Sequence, residues 1–138
     1  MTSDLTEKRV VTCFLEFNGE LLLLRRSQQV GSYHGRWAGV SGFIETTPDE
    51  QALTEIREET SLQPDDIQLI RKGEVLVIED KELGVRWLVH PYLFHINNRR
   101  KIRTDWEHTE TRWIAPDDIG KFTTVPRLKE TLDRVYPS

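Results

Sequence analysis

The sequence predicts an α+β fold in which a mixed β-sheet is covered by helices, and three observations lead to this class. Segments rich in β-branched and aromatic residues flank a central helix with clear start and stop signals. A second amphipathic segment closes the chain, so the predicted order is β-β-β-α-β-β-β-α. The length of 138 residues, with 37% hydrophobic side chains, suits one domain with its own core, predicted to span residues 1–138.

Composition argues against several classes of protein. No apolar run approaches the roughly 18 residues of a membrane span, and residues 1–10 lack the basic-then-apolar pattern of an export signal. A net charge of −4 argues against a broad DNA-binding surface. The single cysteine, Cys13, lies in the apolar stretch VVTCFLEF and is expected to be buried. We therefore expect a cytoplasmic protein, either a monomer or a homodimer.

The first half of the chain begins with a predicted β-hairpin. Residues 9–26, RVVTCFLEFNGELLLLRR, contain two apolar strands separated by Asn18-Gly19, a strong turn signal. Residues 27–37 are polar and contain glycine, which predicts a loop. Residues 38–45 are short and apolar and predict a strand.

The second half of the chain predicts a further group of strands. Residues 67–80 and 85–97 are rich in β-branched and aromatic side chains and predict two long strands joined near residues 81–84. The remaining predicted elements are a polar loop over 97–108, a strand over 109–114, a short helical turn over 115–122 and a C-terminal helix over 125–136.

The central helix is marked at both ends. Thr47 suits the N-cap, Pro48 the first helical position, and Glu50 completes a Thr-x-x-Glu capping box. Pro64 marks the end of the helix, because the residue before a proline is disfavoured in helical conformation.

Glu55, Glu58 and Glu59 lie at positions i, i+3 and i+4 of this helix and therefore share one face. Like charges at this spacing cost only about 0.2–0.5 kcal/mol per exposed pair, so a solvated acidic face is one interpretation. The other is a site for Mg²⁺ or Mn²⁺, since hard cations bind carboxylates, waters and substrate phosphates. Such an ion would attract a polyphosphate and stabilise the charge that grows during attack by water.

Residues 41–62, SGFIETTPDEQALTEIREETSL, resemble the Nudix box of the Nudix (MutT-like) hydrolases, G-x5-E-x7-R-E-U-x-E-E-x-G-U with U apolar. The resemblance implies the Nudix fold, a mixed sheet sandwiched between helices, and Mg²⁺ (or Mn²⁺) as cofactor. It also implies hydrolysis of a nucleoside diphosphate linked to another moiety X, with water attacking phosphorus. The matching positions are Gly42, Glu45, Glu55, Ile56, Glu58, Glu59 and Leu62.

The sequence departs from the family pattern at several positions. The interval from Gly42 to Glu55 is two residues shorter, so Thr46 falls where the first box Glu would align. Thr54 replaces the Arg that helps to orient a catalytic glutamate in the family, and Ser61 replaces the Gly after the helix. These departures keep open a catalytically degenerate domain that binds nucleotide and metal for regulation.

The resemblance also implies roles for the box residues. Glu58 and Glu59 would hold the metal ions, and Glu55 would hold metal or assist deprotonation of water. The backbone carbonyl of Ser41 is a further candidate metal ligand. Which residue acts as general base stays open.

Candidate residues outside the box have both a functional and a purely structural interpretation. Some family members use a further glutamate, and arginine suits phosphate recognition through its fork of donors. The candidates are Glu107 as catalytic glutamate, with Glu110 as its alternative, Arg25, Arg26 and Arg36 for phosphate or for the missing Arg, and Trp106 for stacking on a base.

The leading functional hypothesis is therefore a Mg²⁺-dependent pyrophosphohydrolase acting on a nucleoside triphosphate or a related small-molecule nucleotide. A dinucleotide polyphosphate or capped-RNA pyrophosphohydrolase would use the same chemistry. The regulatory nucleotide-binding domain is the alternative from another class. An acidic helix with no function beyond solvation is the simplest alternative.

Overall fold

The strands and helices follow the predicted order, with two additional strands, one before and one after the central helix. The computed structural model describes residues 4–136, and the outermost residues of the predicted domain, 1–3 and 137–138, lie outside this range. The strands are β1 (Thr6–Phe17), β2 (Glu20–Arg26), β3 (Trp37–Ala38), β4 (Val40–Phe43), β5 (Ile67–Lys72), β6 (Leu76–Asp80), β7 (Val85–Ile96) and β8 (His108–Ile114). The helices are α1 (Pro48–Thr60) and α2 (Leu128–Asp133), and 3₁₀ turns occur at Pro64–Asp66, Arg99–Lys101 and Pro116–Lys121.

A mixed eight-stranded sheet forms the centre of the molecule. Its long strands β1 and β7 run parallel, and all other pairings are antiparallel. The hairpin between β1 and β2 turns at Asn18 and Gly19, whose φ angles are 52° and 79°. Positive φ at both central residues is the requirement of the turn type that the Asn-Gly pair predicts.

The leucine run in β2 is explained by burial on both faces of the sheet. Side chains alternate between the two faces of a strand. Within residues 21–24, the even-numbered leucines pack in the cluster that contains Ile56 of α1, and the odd-numbered ones pack with Leu128 of α2. The sheet is thus sandwiched between helices, which confirms the predicted fold class. No helix within residues 4–136 has the length and apolar character to cross a membrane.

The single long strand predicted over 67–80 is wrong, because this segment forms two strands, β5 and β6. Both pair with β7, β5 with its C-terminal half and β6 with its N-terminal half. The break faces Pro91, whose carbonyl accepts a bond from the Gly73 N–H at 3.0 Å. In a strand, the N–H and C=O of one residue point to the same neighbouring strand. Pro91 has no N–H, so it cannot donate to the segment between β5 and β6. The hydrogen-bond ladder with β7 is therefore interrupted there.

The C-terminal helix is shorter than the predicted range of 125–136. Its first helical residue is Leu128, and Arg127 before it has a left-handed conformation with φ of 58°. The Val125 N–H donates to the Trp37 carbonyl at 2.9 Å, so the start of the predicted helix is held against β3 instead.

The predicted helix boundaries around the carboxylates are confirmed. Thr47 is the N-cap of α1, and its hydroxyl accepts a bond from the Glu50 N–H at 3.2 Å. The capping box is one-sided, because the Glu50 carboxylate accepts from the Thr47 hydroxyl rather than from its backbone. Ser61 caps the C-terminus with φ of 68°, so it adopts the left-handed conformation that usually favours glycine.

Candidate active site

The three box carboxylates lie at different depths on α1. Ala52 and Ile56 pack into the core beneath the sheet, and this contact turns the neighbouring face of the helix towards a cleft. Glu58 is exposed, Glu55 is half-buried, and Glu59 is only 1% exposed. The sequence predicts that the three residues share a face of the helix. The structure adds that their burial increases from Glu58 through Glu55 to Glu59.

Glu59 is a buried carboxyl group, and neither of its oxygens has a hydrogen-bond partner in the described part of the chain. The nearest cationic candidate is His108, whose Nε2 lies 3.4 Å from Glu59 Oε1, but burial lowers the pKa of this histidine and favours its neutral form. Burial also raises the pKa of Glu59, and the nearby carboxyl groups of Glu55, Glu107 and Asp105 raise it further. An ionised carboxylate buried in this way is unfavourable, and a bound cation would stabilise it.

Glu55 is enclosed between a side chain and a glycine. Gln51, one turn earlier on α1, donates from Nε2 to Glu55 Oε2 at 2.7 Å. On the other side lies Gly42, where an added Cβ atom would overlap the Glu55 carboxyl group. Burial raises the pKa of Glu55, while the contact with the Glu59 carboxyl group and, next, the hydrogen bond from Gln51 act in the opposite direction.

Glu107 faces the box carboxylates from the segment before β8. Burial raises its pKa, and the carboxylates of Asp105 and Glu55 raise it further, while Arg26 opposes the shift. The predicted alternative, Glu110, instead forms an ion pair with Arg25 at 3.3 Å on β2 and does not line the cleft. The structure thus brings Glu107 to the box carboxylates and leaves Glu110 outside.

Of the three candidate arginines, only Arg26 lines the cleft. Burial lowers its pKa, and the neighbouring carboxylates of Glu59 and Glu107 oppose that shift. Its Nε donates to the Ser32 carbonyl at 2.9 Å. Arg25 is exposed beside Glu110, and Arg36 donates to the Thr124 carbonyl at 3.3 Å. Neither of these two contacts Glu55 in the part of the chain that the structure describes.

The cleft has a volume of about 600 Å³, and its lining includes an acidic group and an aromatic group of side chains, named here its acidic and aromatic ends. The acidic end contains Glu55, Glu58 and Glu107, and Ser41 of β4 lies there as well. Trp106, which is 61% exposed, is also part of the wall. The predicted metal-binding and stacking residues therefore border one cleft, apart from Glu59, which lies behind it.

The other end of the cleft is aromatic. Trp87 stacks on Phe43 with ring centroids 6.1 Å apart. The ring centroids of Trp87 and Tyr33 are 6.2 Å apart. The Trp87 indole N–H donates to the Tyr33 hydroxyl at 3.0 Å, which in turn donates to Asp80 at 2.7 Å. Lys8 Nζ lies 5.6 Å from the Phe43 ring centroid. These rings come from segments that are distant in the sequence, so their convergence follows from the fold.

The donor set fits a hard divalent cation that retains water ligands. Within residues 4–136, no three His, Cys, Asp or Glu side chains converge closely enough to enclose a metal by themselves. Mg²⁺ commonly takes one or two carboxylates and completes its shell with waters and substrate phosphates. The uncompensated oxygens of Glu59 and the crowding around Glu55 supply the negative charge for such an ion.

The chain is similar to known proteins over almost its whole length. A family model described as the NUDIX domain matches residues 6–135. No match was found among curated protein sequences.

Solved structures share the fold. A MutT protein from Methanosarcina mazei Go1 is 19% identical with a TM-score of 0.79, and 97% of this chain and 96% of that chain are covered. A MutT NUDIX hydrolase from Burkholderia pseudomallei is 23% identical with a TM-score of 0.73, with 95% and 99% covered. An Ap4A hydrolase binary complex from C. elegans is 20% identical with a TM-score of 0.73, with 94% of each chain covered.

Proposed function

The chain belongs to the NUDIX family of hydrolases, and from this premise we propose that it is a Mg²⁺- or Mn²⁺-dependent pyrophosphohydrolase. Its substrate would be a nucleoside triphosphate or a related nucleoside diphosphate linked to a moiety X. The observation that carries the proposal is the buried, uncompensated Glu59 beside Glu55 and Glu107. Carboxylates crowded together in this way are unfavourable in their ionised forms, and a divalent cation that joins them removes the repulsion.

Each residue of the acidic end has a role in this proposal. Glu55, Glu58 and Glu59 would hold the ion, with the Ser41 carbonyl as a further ligand. When bound, the ion would polarise a phosphoryl oxygen and make water a better nucleophile. Glu107 would accept a proton from the attacking water, because a raised pKa brings a carboxylate closer to the range of an efficient general base.

Arg26 would orient the phosphate chain. Its Nε is held by the Ser32 carbonyl, which fixes the plane of the guanidinium group at the wall of the cleft. The terminal amino groups can then form paired hydrogen bonds with phosphate oxygens. Its proximity to Glu59 and Glu107 places this phosphate contact next to the carboxylates.

The aromatic end supports a nucleotide as the substrate. A nucleobase stacked on an aromatic side chain gains about 1–3 kcal/mol. Trp87 and Phe43 already stack on each other, and the Tyr33 hydroxyl holds the indole N–H, so the rings are fixed before a ligand arrives. A base placed here would leave its phosphates directed towards the acidic end of the same cleft.

The decisive experiment measures phosphate and pyrophosphate release from a panel of nucleotides with Mg²⁺ and Mn²⁺. The wild type is compared with Glu58→Gln and with Glu74→Gln, an exposed glutamate outside the cleft. We expect Glu58→Gln to lose most of the release and Glu74→Gln to retain it. Equal release by the wild type and Glu58→Gln would refute the catalytic assignment. Nucleotide binding without any release would favour the regulatory domain.

A dinucleotide polyphosphate is the second candidate substrate, and one observation favours it. The exposed ring of Trp106 borders the acidic end of the cleft, while Trp87 and Phe43 border the other end. Two separate stacking surfaces suit a ligand with two bases, and one similar structure is named an Ap4A hydrolase. A lower kcat/KM for a dinucleotide than for a mononucleotide would exclude this candidate.

A further inference from the structure

Gln51 makes two hydrogen bonds at the entrance to α1. Its side-chain amide donates to Glu55 Oε2 at 2.7 Å, and its carbonyl oxygen accepts from the Glu45 N–H at 3.1 Å. Although glutamine is usually exposed, this residue is only 5% exposed. A buried amide with both of its ends bonded has a fixed orientation.

The direction of the amide follows from its partners. A backbone N–H can only donate, so the group that faces Glu45 must be the amide oxygen. The NH₂ group then has to face Glu55. A flipped amide would place its oxygen against a carboxylate oxygen and its NH₂ against an N–H, and both contacts would be repulsive. The arrangement therefore presents a donor to Glu55.

The opposite side of the Glu55 carboxyl group is closed by backbone. Gly42 of β4 lies so close that a Cβ atom there would overlap the carboxyl carbon. The carboxylate is thus confined between the Gln51 amide and the strand. Among residues 4–136, no arginine forms an ion pair with it: Arg25 pairs with Glu110, Arg26 bonds to Ser32 and Arg36 to Thr124.

We infer that Gln51 is the positioning residue of the site, fixing the rotamer of Glu55 against β4 at the wall of the cleft. A neutral donor suits this task, because it holds the carboxylate without cancelling the negative charge that a divalent ion needs. Partners that orient metal ligands in this way typically contribute about 10–100-fold in metal affinity or activity. The inference rests on the proposed function, since it takes Glu55 to be a metal ligand.

The test uses two variants of Gln51 that remove different hydrogen bonds of its side chain. Gln51→Met fills a similar volume and removes both hydrogen bonds. Gln51→Glu keeps the acceptor for the Glu45 N–H and replaces only the donor to Glu55 with a repelling oxygen. The control is Gln68→Met, the same exchange at an exposed position on β5. For each protein, Mn²⁺ affinity is measured by electron paramagnetic resonance without nucleotide, alongside kcat, KM and Tm.

We expect Gln51→Met to weaken Mn²⁺ binding and to lower kcat, each by about 10–100-fold, with KM little changed. Gln51→Glu is expected to lower kcat as well, which a role limited to holding Glu45 would not produce. Wild-type Mn²⁺ affinity in Gln51→Met, or wild-type kcat in Gln51→Glu, would overturn the inference. If the wild type hydrolyses no nucleotide, the proposed function fails, while the Mn²⁺ measurement still decides the role of Gln51.

Discussion

Gly42 and Glu55 approach each other so closely that the strand and the helix leave no space for a single methyl group between them. Conformation does not explain this glycine, because the described glycines with positive φ are Gly19, Gly35 and Gly84. Close approach of the backbone to a functional side chain is the remaining reason for a glycine here. The β4 strand therefore acts as a wall that sets the position of the carboxylate.

Gly42→Ala is expected to displace the Glu55 carboxylate and to lower kcat by about 100-fold, the effect of a misplacement of about 1 Å at a reacting group. Steady-state hydrolysis of the best nucleotide, with circular dichroism to check folding, measures this. Gly120→Ala is the matched control, since an added Cβ at Gly120 meets nothing within 4 Å. If Gly42→Ala retains the kcat of Gly120→Ala, Glu55 has no fixed role.

Local signals in the sequence predicted a large part of this structure. The Asn18-Gly19 pair, the Thr47-Pro48 start of α1 and the spacing of Glu55 and Glu59 each act within a few residues. Such features are determined by backbone conformation and helical geometry, which depend little on the rest of the fold. The box helix and its acidic face were therefore predictable.

Features that depend on contacts between distant segments were not predictable. The break between β5 and β6 arises because Pro91, on a different strand, offers no donor at that point. The close approach of Gly42 to Glu55 likewise requires β4 to pack against α1. Sequence spacing gives the direction of a side chain on its own element, but not what that element packs against.

The contribution of Glu59 to stability without metal is expected to fall as pH rises. Its pKa is raised above the ordinary value of 4.5 by burial, so its contribution is fully present below pH 4.5 and is lost as pH rises through the folded-state pKa. Mg²⁺ should reverse the loss, since it binds only the native site. At 100 times Kd it adds about 2.7 kcal/mol, roughly 10 °C in Tm for a domain of this size. Thermal scans from pH 4 to 9, with EDTA or with Mg²⁺, measure both effects.

The matched variant for this prediction is Glu59→Gln, which removes the charge and keeps the shape. Its Tm in EDTA should vary less with pH than that of the wild type, and Mg²⁺ should raise it little. An equal Mg²⁺ shift in both proteins would show that Glu59 does not hold the ion. A wild-type Tm in EDTA that rises between pH 5 and 8 relative to that of Glu59→Gln would contradict the sign of the pH effect.

The two stacking surfaces that border the cleft should differ in their effect on substrate binding. Trp87→Ala removes the ring that stacks on Phe43 and should raise KM for a nucleoside triphosphate by about 5–150-fold, the equivalent of about 1–3 kcal/mol of base stacking. Because a base contact is the same in the ground and transition states, kcat should change little. Trp106→Ala is the comparison at the acidic end. A larger KM effect in Trp106→Ala would place the base at that end instead.

The Cys13 thiol should be unreactive in the native protein and should report on opening of the fold. Cys13 is buried, as predicted, and burial raises its pKa, with Glu59 and Glu55 adding to the shift. A thiolate-specific disulfide reagent should therefore react only with opened molecules, at least about 10³-fold more slowly than with the urea-unfolded chain. Saturating Mg²⁺ should slow the reaction further, because the ion stabilises the closed site on which these carboxylates depend. Prompt labelling of the native protein, measured against Cys13→Ala as background, would contradict the packing of β1 against the acidic end of the cleft.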